Sequence, residues 1–301
     1  TPTGGRFPAG ISGFRGEPRF IWASYVMACS LTTAAVASQV VINFDDLSGG
    51  PYVNGSPVPP NSRLSDQLRP AYGITFDSGS HYVAVVDVGV GNTTSGANAI
   101  GGTSSGLVDY TAPVIFSFSS PSNPYIPATT NSFSMRGDLI GAGRTITASA
   151  YDATGKLLAS DTEVDSGGET WTFRVAGIQS VRFPGTPDGN HGIALDDVTF
   201  SPVTPALPGD ANVDGKVDFA DLVILARHYG VAGVWTDGNF NDDPTVDFGD
   251  LVTLARNYGR STDATSPDVG IVPEPASSVL AFFSLAVLFL PRAFGKSEGA
   301  T

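Results

Sequence analysis

The sequence predicts a mainly β protein, with an antiparallel β-sandwich over residues 39–202 followed by a small α-helical domain over residues 209–260. Ten short segments alternate apolar and polar side chains, which is the pattern of strands with one buried and one exposed face. The composition is rich in turn formers, with 36 Gly and 22 Pro, and has only 15% charged residues. After residue 208 the composition changes and a segment is duplicated, which indicates a second and different domain.

Each predicted strand is bounded by clusters of Gly, Pro, Asn and Ser. The alternation is clearest over residues 145–151 and 170–175. The intervening Asp152 and Gly155 are turn formers and predict a hairpin over residues 145–160. The ten predicted strands are residues 40–44, 74–76, 81–88, 113–118, 132–135, 145–151, 157–160, 170–175, 180–183 and 194–200.

Charge and cysteine content narrow the function classes. The net charge of −13 argues against nucleic acid as a partner, because a phosphate backbone requires a basic face. Cys29 is the single cysteine, so the chain forms no intramolecular disulfide. Stability outside a cell must then come from packing or from bound metal.

The N-terminal segment has the pattern of a secretory signal peptide, which we place at residues 1–38. Arg6, Arg15 and Arg19 precede an apolar run, and the small residues 35–37 follow it as a cleavage site. The alternative is a buried helix or a retained anchor, but the run is short for about 30 Å of hydrocarbon. The sequence therefore predicts export.

The C-terminal segment, residues 272–296, carries Pro273, Glu274 and Pro275, then an apolar run over residues 276–290 and a basic end. This order resembles the PEP-CTERM sorting signal of exopolysaccharide-producing bacteria. The resemblance implies recognition by an exosortase-type membrane protease. The basic end is thinner than in that family, with only Arg292 and Lys296. Whether the tail is cut or stays as a membrane anchor is left open.

The duplication aligns residues 210–230 with residues 239–259 at a constant offset of 29. Each copy spaces oxygen-bearing residues at loop positions 1, 3, 5, 7, 9 and 12, as an EF-hand-like loop does around Ca²⁺, with position 7 contributing its backbone carbonyl. Close carboxylates repel one another without a cation, so we expect folding to require the metal. The first loop offers Asp210, Asn212, Asp214, Lys216, Asp218 and Asp221, and the second offers Asn239, Asn241, Asp243, Thr245, Asp247 and Asp250.

The second loop departs from the first at two positions. Asn239 replaces Asp at position 1, and Pro244 replaces Gly215 at position 6, where the loop must turn sharply. With one carboxylate fewer and a fixed φ, this loop is expected to bind Ca²⁺ more weakly. An empty second loop is the alternative.

An Asp at position 12, a single helix after each loop, and the helix pattern Asp-Leu-Val-x-Leu-Ala-Arg-x-Tyr-Gly resemble the type I dockerin module. The resemblance implies a cohesin-like partner that contacts positions 10 and 11. Those positions are small and polar in cellulosomal dockerins, whereas here each pair includes a Phe. These phenylalanines either contact a different cohesin-like partner or pack inside the domain. Leucine, alanine and tyrosine at helical spacing predict an apolar stripe on each helix. Val217 and Val246 are expected to pair with each other. The partner-binding positions are Phe219, Ala220, Phe248 and Gly249.

Motifs such as residues 42–47 and 192–200 resemble the jelly-roll modules of exported PEP-CTERM proteins, which are similar to carbohydrate-binding modules. Sugar binding needs an aromatic platform and planar polar groups, although each aromatic residue here has a core role as its alternative. The pairs Asp45-Asp46 and Asp196-Asp197 suit either a structural Ca²⁺ or exposed edge charges. The aromatic candidates are Tyr82, Tyr110, Tyr125, Tyr151 and Trp171.

These observations predict an exported, non-catalytic calcium-binding protein of the cell envelope or extracellular matrix. The β domain would bind polysaccharide, and the dockerin-like domain would bind its partner. The alternative is a dockerin-bearing polysaccharide hydrolase, but no GxSxG, HExxH or P-loop pattern is present. Residues 203–208 and 261–271 are interpreted as linkers.

Overall fold

The computed structural model describes residues 38–89, 93, 95–139, 145–164, 168–185 and 193–262. The predicted signal peptide up to residue 37 and the predicted sorting signal over residues 272–296 lie outside these residues. Across the described ranges, no helix combines the length and apolarity needed to cross a membrane.

All ten predicted segments overlap a strand of the structure, and the helices of the duplicated region follow their loops. The strands are β1 (Val40–Ile42), β2 (Arg63–Leu64), β3 (Ile74–Asp77), β4 (Val83–Asp87), β5 (Asn98–Gly101), β6 (Thr103–Ser104), β7 (Leu107–Val108), β8 (Val114–Phe118), β9 (Ala128–Thr129), β10 (Phe133–Leu139), β11 (Thr145–Tyr151), β12 (Leu157–Val164), β13 (Glu169–Phe173), β14 (Ser180–Phe183), β15 (Ile193–Phe200) and β16 (Thr204–Pro205). The α-helices are α1 (Arg69–Tyr72), α2 (Phe219–His228) and α3 (Phe248–Asn257).

Two antiparallel sheets form the β domain, as the sequence predicts. The larger sheet has the order β13-β10-β15-β5-β4-β2, with β1 also paired to β15. The smaller sheet has the order β12-β11-β14-β8-β3. The predicted hairpin is confirmed as β11 paired with β12, from Thr145 opposite Val164 to Tyr151 opposite Leu157.

The core of the β domain lies between the inward faces of the sheets and is rich in aromatic rings. Trp171 is fully buried and meets Phe183 edge to face, with 5.2 Å between ring centroids. Its indole nitrogen donates a hydrogen bond to the backbone oxygen of Ile146. Burial of these rings supplies the main stabilisation of a sandwich that has no disulfide.

Strands β4 and β5 are buried on both faces, which hides the alternation expected of a half-exposed strand. A second apolar cluster, containing Val86, Ala99 and Tyr110, packs on the side of these strands that faces away from the main core. Residues 50–58 and 103–110 cover it, and the Tyr110 hydroxyl donates a 2.7 Å hydrogen bond to the carbonyl of Tyr52.

The duplicated region folds around its own apolar cluster, which includes Leu225, Trp235 and Leu254. The helix stripes differ from the prediction. Leu225 and Leu254 are buried, but Ala226 and Ala255 are exposed, because the helices are covered along a narrower face than the spacing indicated.

Val217 and Val246 are fully buried, but the prediction that they pair with each other is wrong. The N–H of Val217 donates to the carbonyl of Arg260, after α3, and the N–H of Val246 donates to the carbonyl of Val231, after α2. Each loop is therefore tied to the end of the other repeat's helix. This reciprocal exchange makes the two repeats one folding unit.

The connection predicted as a linker, residues 203–208, pairs with the β domain. Strand β16 lies antiparallel to β9, and the N–H of Ala206 donates to the carbonyl of Pro127. Tyr125, Ile126 and Ala153 of the β domain also pack against the apolar cluster of the duplicated region.

Candidate functional site

The first candidate loop, residues 210–221, is organised by carboxylates that accept backbone N–H groups. The buried Asp221 accepts from Ala211 and Asn212 through one oxygen and from Asp218 through the other, at 2.8–3.2 Å. Asp218 in turn accepts from Ala220 and caps α2, so Asp218 and Asp221 form a capping box. The end of the loop and the start of the helix are thus one structure.

The second candidate loop, residues 239–250, repeats this network 29 residues later. Asp250 is fully buried and accepts from Phe240 and Asp247 at 2.7 and 2.9 Å. Asp247 accepts from Gly249 and caps α3. Positions 3, 5 and 7 form the same turn in both loops. In the first loop, the side-chain oxygen of Asn212 accepts the N–H of Asp214, and the Asp214 carboxylate accepts the N–H of Lys216. In the second loop, Asn241, Asp243 and Thr245 are bonded in the same way.

The two loops differ at position 1, and the cause lies at position 6. Asp210 accepts the N–H groups of Gly215, at 2.9 Å, and of Asp214, at 3.2 Å. Gly215 has φ +86°, a conformation that strains any residue with a Cβ, and a Cβ there would also press against the hydroxyl of Thr262. Pro244 has no N–H to donate at the corresponding place.

Asn239 is 1% exposed and turns its amide nitrogen to two carbonyls, those of Gly233 and Asp243. Its side-chain oxygen is buried with no hydrogen-bond partner. A buried acceptor without a donor costs about 1–3 kcal/mol, and a cation would satisfy it.

The electrostatics of the first loop also favour a cation. Burial, together with the negative charges of Asp221 and Asp214, raises the pKa of Asp210 to about 7. Burial likewise raises the pKa of Asp221. No lysine or arginine of the described residues forms an ion pair with either one. Two buried acids close together are costly without positive charge, which Ca²⁺ would supply.

The fit to Ca²⁺ rests on mixed oxygen donors. Within the described ranges, no three acidic, histidine or cysteine side chains are arranged to hold a metal by themselves. Asp221 and Asp250 direct their oxygens to backbone N–H groups. Calcium accepts amide and backbone oxygens along with carboxylates, and each loop supplies all three at the spacing described above. The donor chemistry therefore fits Ca²⁺, with four carboxylates in the first loop and three in the second.

The predicted partner-binding positions lie on the surface. Phe219 is 57% exposed and Phe248 is 54% exposed, each as the first residue of its helix. Ala220 and Gly249, which follow them, are also exposed. The inward-packed alternative for these phenylalanines is therefore wrong.

The five aromatic candidates of the β domain have different environments. Trp171 and Tyr110 are buried, and Tyr125 packs against the duplicated region. Tyr82 and Tyr151 are half-buried, and an arginine lies over each ring. The guanidinium carbon of Arg63 is 4.9 Å from the ring centroid of Tyr82, and that of Arg182 is 4.7 Å from the ring centroid of Tyr151. Tyr151 lies on the outer face of the smaller sheet beside the hydroxyls of Ser149 and Ser160.

The two Asp pairs meet at one segment of the β domain. Asp45 accepts from the N–H groups of Ala97 and Asn98, and Asp196 accepts from the N–H and hydroxyl of Ser95. Asp46 is exposed. The first carboxylate of each pair therefore serves to hold residues 95–98.

Trp235 is a residue that the sequence reasoning missed. It lies between the loops, is 4% exposed, and donates a 2.7 Å hydrogen bond from its indole nitrogen to the carbonyl of Asp210. Its signal in the sequence is its place as the single tryptophan after residue 208.

No protein family model matches the chain, and no curated protein matches it. Similar solved structures include a family 29 carbohydrate binding module from Piromyces equi, with 9% identity over 56% of this chain and 91% of that one, TM-score 0.30. The xylan-binding domain from CBM 22 has 11% identity over 50% and 97% of the two chains, TM-score 0.28. The CBM36-1 domain of a multidomain xylanase from the hindgut metagenome of Trinervitermes trinervoides has 15% identity over 42% and 96%, TM-score 0.25. Likenesses of this size transfer no ligand or binding face.

Proposed function

We propose that the chain is an exported, non-catalytic calcium-binding protein in which a dockerin-like module, residues 209–260, docks a partner while the β domain holds polysaccharide. The single observation that carries this proposal is the pair of loops with the same hydrogen-bond network, whose buried acids and buried amide oxygen have no positively charged partner among the residues that the structure describes. Calcium would supply the charge that holds each loop closed.

The residues of each loop have distinct roles toward the ion. Asp210 and Asn239 supply a side-chain oxygen from the interior, whereas the residues at positions 3 and 5 supply oxygens from the exposed turn. Asp221 and Asp250 connect the loop to the first turn of its helix. We therefore expect bound Ca²⁺ to fix the start of α2 and α3.

Fixing the helix starts would also fix the proposed docking surface. Phe219 and Phe248 are equivalent residues of the two repeats, so each presents the same apolar side chain beside a small neighbour. An exposed aromatic flanked by a small residue allows close approach of a partner. The proposed occupant is a cohesin-like domain with an apolar surface.

The proposed polysaccharide-binding surface is the outer face of the smaller sheet. Tyr151 and Arg182 offer a stacked planar pair, and the surrounding hydroxyl pairs, Thr147 with Thr162 and Ser149 with Ser160, can read sugar hydroxyls. From the sequence pattern of the terminal segments, we also propose export, sorting by an exosortase-type protease and residence at the cell envelope.

Calorimetric titration of the full chain with Ca²⁺ tests the calcium proposal. We expect two ions to bind, the tighter one at the first loop. A chain that binds no Ca²⁺, or whose duplicated region keeps the same unfolding temperature with and without chelator, would overturn the proposal.

Partner and polysaccharide binding need separate variants. Phe219→Ala with Phe248→Ala should abolish cohesin binding, whereas the exposed Val231→Ala serves as control. Tyr151→Ala should weaken retention on polysaccharide gels, with the exposed Val41→Ala of the larger sheet as control. Release of reducing sugar that a single carboxylate substitution abolishes would support the hydrolase alternative instead.

A further inference from the structure

We propose that Tyr125 of the β domain is a positioning residue for both calcium loops, so that calcium binding and docking of the two domains form one coupled equilibrium. This inference rests on the proposed calcium function and adds a role for the β domain in it. Tyr125, one of the aromatic candidates for sugar binding, thereby becomes part of the framework of the calcium loops.

One pair of aromatic residues touches the first residue of both loops. The hydroxyl of Tyr125 donates a 2.7 Å hydrogen bond to the carbonyl of Asn239. The Tyr125 ring meets Trp235 edge to face, with 6.0 Å between centroids and 67° between planes. The indole of Trp235 donates to the carbonyl of Asp210 at 2.7 Å. Asn239 and Asp210 are position 1 of the second and first loops.

Tyr125 is held firmly on the β-domain side. It lies in the connection between β8 and β9, where its N–H donates to the side-chain oxygen of Asn123. The N–H of Ser120 donates to the carbonyl of Ile126 at 2.8 Å, which closes the same connection. The next strand, β9, pairs with β16 immediately before the first loop. A rigidly held donor restrains its acceptor more than a mobile one does.

The consequence is linkage between the ion and the domain interface. If Ca²⁺ binds best when Asn239 and Asp210 are held in place, then the contact that holds them increases calcium affinity, and bound Ca²⁺ stabilises that contact equally. The bond to Asn239 belongs to the second loop, whereas the ring contact reaches the first loop through Trp235. Removing the hydroxyl should therefore affect the second loop alone, and removing the ring should affect both.

The test is calorimetric Ca²⁺ titration of three full-chain variants against the wild type. Tyr125→Phe should weaken the second site about three- to tenfold, the range expected for one net hydrogen bond, and leave the first site unchanged. Tyr125→Ala should weaken both sites. Tyr110→Phe is the matched control, because its buried hydroxyl also donates a 2.7 Å bond to a carbonyl but lies away from the loops.

A second measurement separates positioning from general stability. Calcium should raise the unfolding temperature of the β domain in the wild type and in Tyr110→Phe, and should raise it less in Tyr125→Phe. Equal affinities and equal calcium-induced shifts in Tyr125→Phe and the wild type would overturn this inference while leaving the calcium function intact. A wild type that binds no Ca²⁺ would overturn the calcium function and the inference with it.

Discussion

Replacement of Asp221 by alanine should destabilise the duplicated region more than the equivalent replacement of Asp250. Asp221 accepts three backbone N–H groups, from Ala211, Asn212 and Asp218. Asp250 accepts two, from Phe240 and Asp247. Because both carboxylates are fully buried, water does not readily replace the lost acceptor.

The difference can be estimated from the number of bonds. At about 1 kcal/mol of net stabilisation per hydrogen bond, Asp221→Ala should lower the free energy of unfolding by about 3 kcal/mol and Asp250→Ala by about 2 kcal/mol. Burial raises the pKa of Asp221, so removing the carboxylate also relieves a desolvation cost, and about 3 kcal/mol is an upper value for the hydrogen-bond part of the loss. Asp221→Asn keeps one acceptor oxygen and should fall between the wild type and Asp221→Ala.

Urea unfolding of the full chain in saturating Ca²⁺, combined with amide hydrogen exchange, provides the measurement. Asp221→Ala should speed exchange at Ala211, Asn212 and Asp218, and Asp250→Ala should speed exchange at Phe240 and Asp247. The reasoning fails if Asp250→Ala costs as much stability as Asp221→Ala, or if exchange at these amides is unchanged.

Three further predictions concern the metal, the second loop and the core. Chelation with EGTA should unfold residues 209–260 while the β-sandwich keeps its far-UV circular dichroism; a duplicated region that stays folded would contradict the metal requirement. Asn239→Asp combined with Pro244→Gly restores the fourth carboxylate and the position-6 N–H, so calorimetry should show the second site approaching the first in affinity; an unchanged second site would show that these two positions do not set it. Trp171→Phe removes a buried indole and its bond to Ile146, and urea unfolding should show a loss of about 1–3 kcal/mol in the β domain; a loss below about 0.5 kcal/mol would mean that the core repacks.

The strands with one buried face were readily predicted from the sequence, because alternation directly reports that environment. Strand β5 was missed, since all four of its residues, from Asn98 to Gly101, are buried and show no alternation. The pairing of β16 was missed for a different reason. Thr204 and Pro205 pair with residues more than 70 positions earlier, and local pattern carries no information about such contacts.

The candidate loops, like the strands, were predicted only in part from the sequence. Their spacing predicted the acidic positions, and the break at Pro244 was visible in the sequence. The loss of a donor to the Asn239 side-chain oxygen was not visible, because it depends on which N–H faces position 1 in the folded loop. The backbone hydrogen bonds of Val217 and Val246, which each run to the opposite repeat, likewise depend on how the two repeats pack together.

The divergence of the second loop and its contact with the β domain have a common physical interpretation. In the first loop, Asp210 is held by N–H groups of its own loop, those of Asp214 and Gly215. In the second loop, Pro244 cannot donate, and the Asn239 side chain instead donates to the carbonyl of Asp243, while the Asn239 carbonyl accepts from Tyr125 of the β domain. The first residue of the second loop is thus bonded directly to the β domain, whereas that of the first loop is reached through Trp235. If preorganisation limits calcium affinity, the duplicated region separated from the β domain should lose affinity at both sites, and more at the second site than at the first.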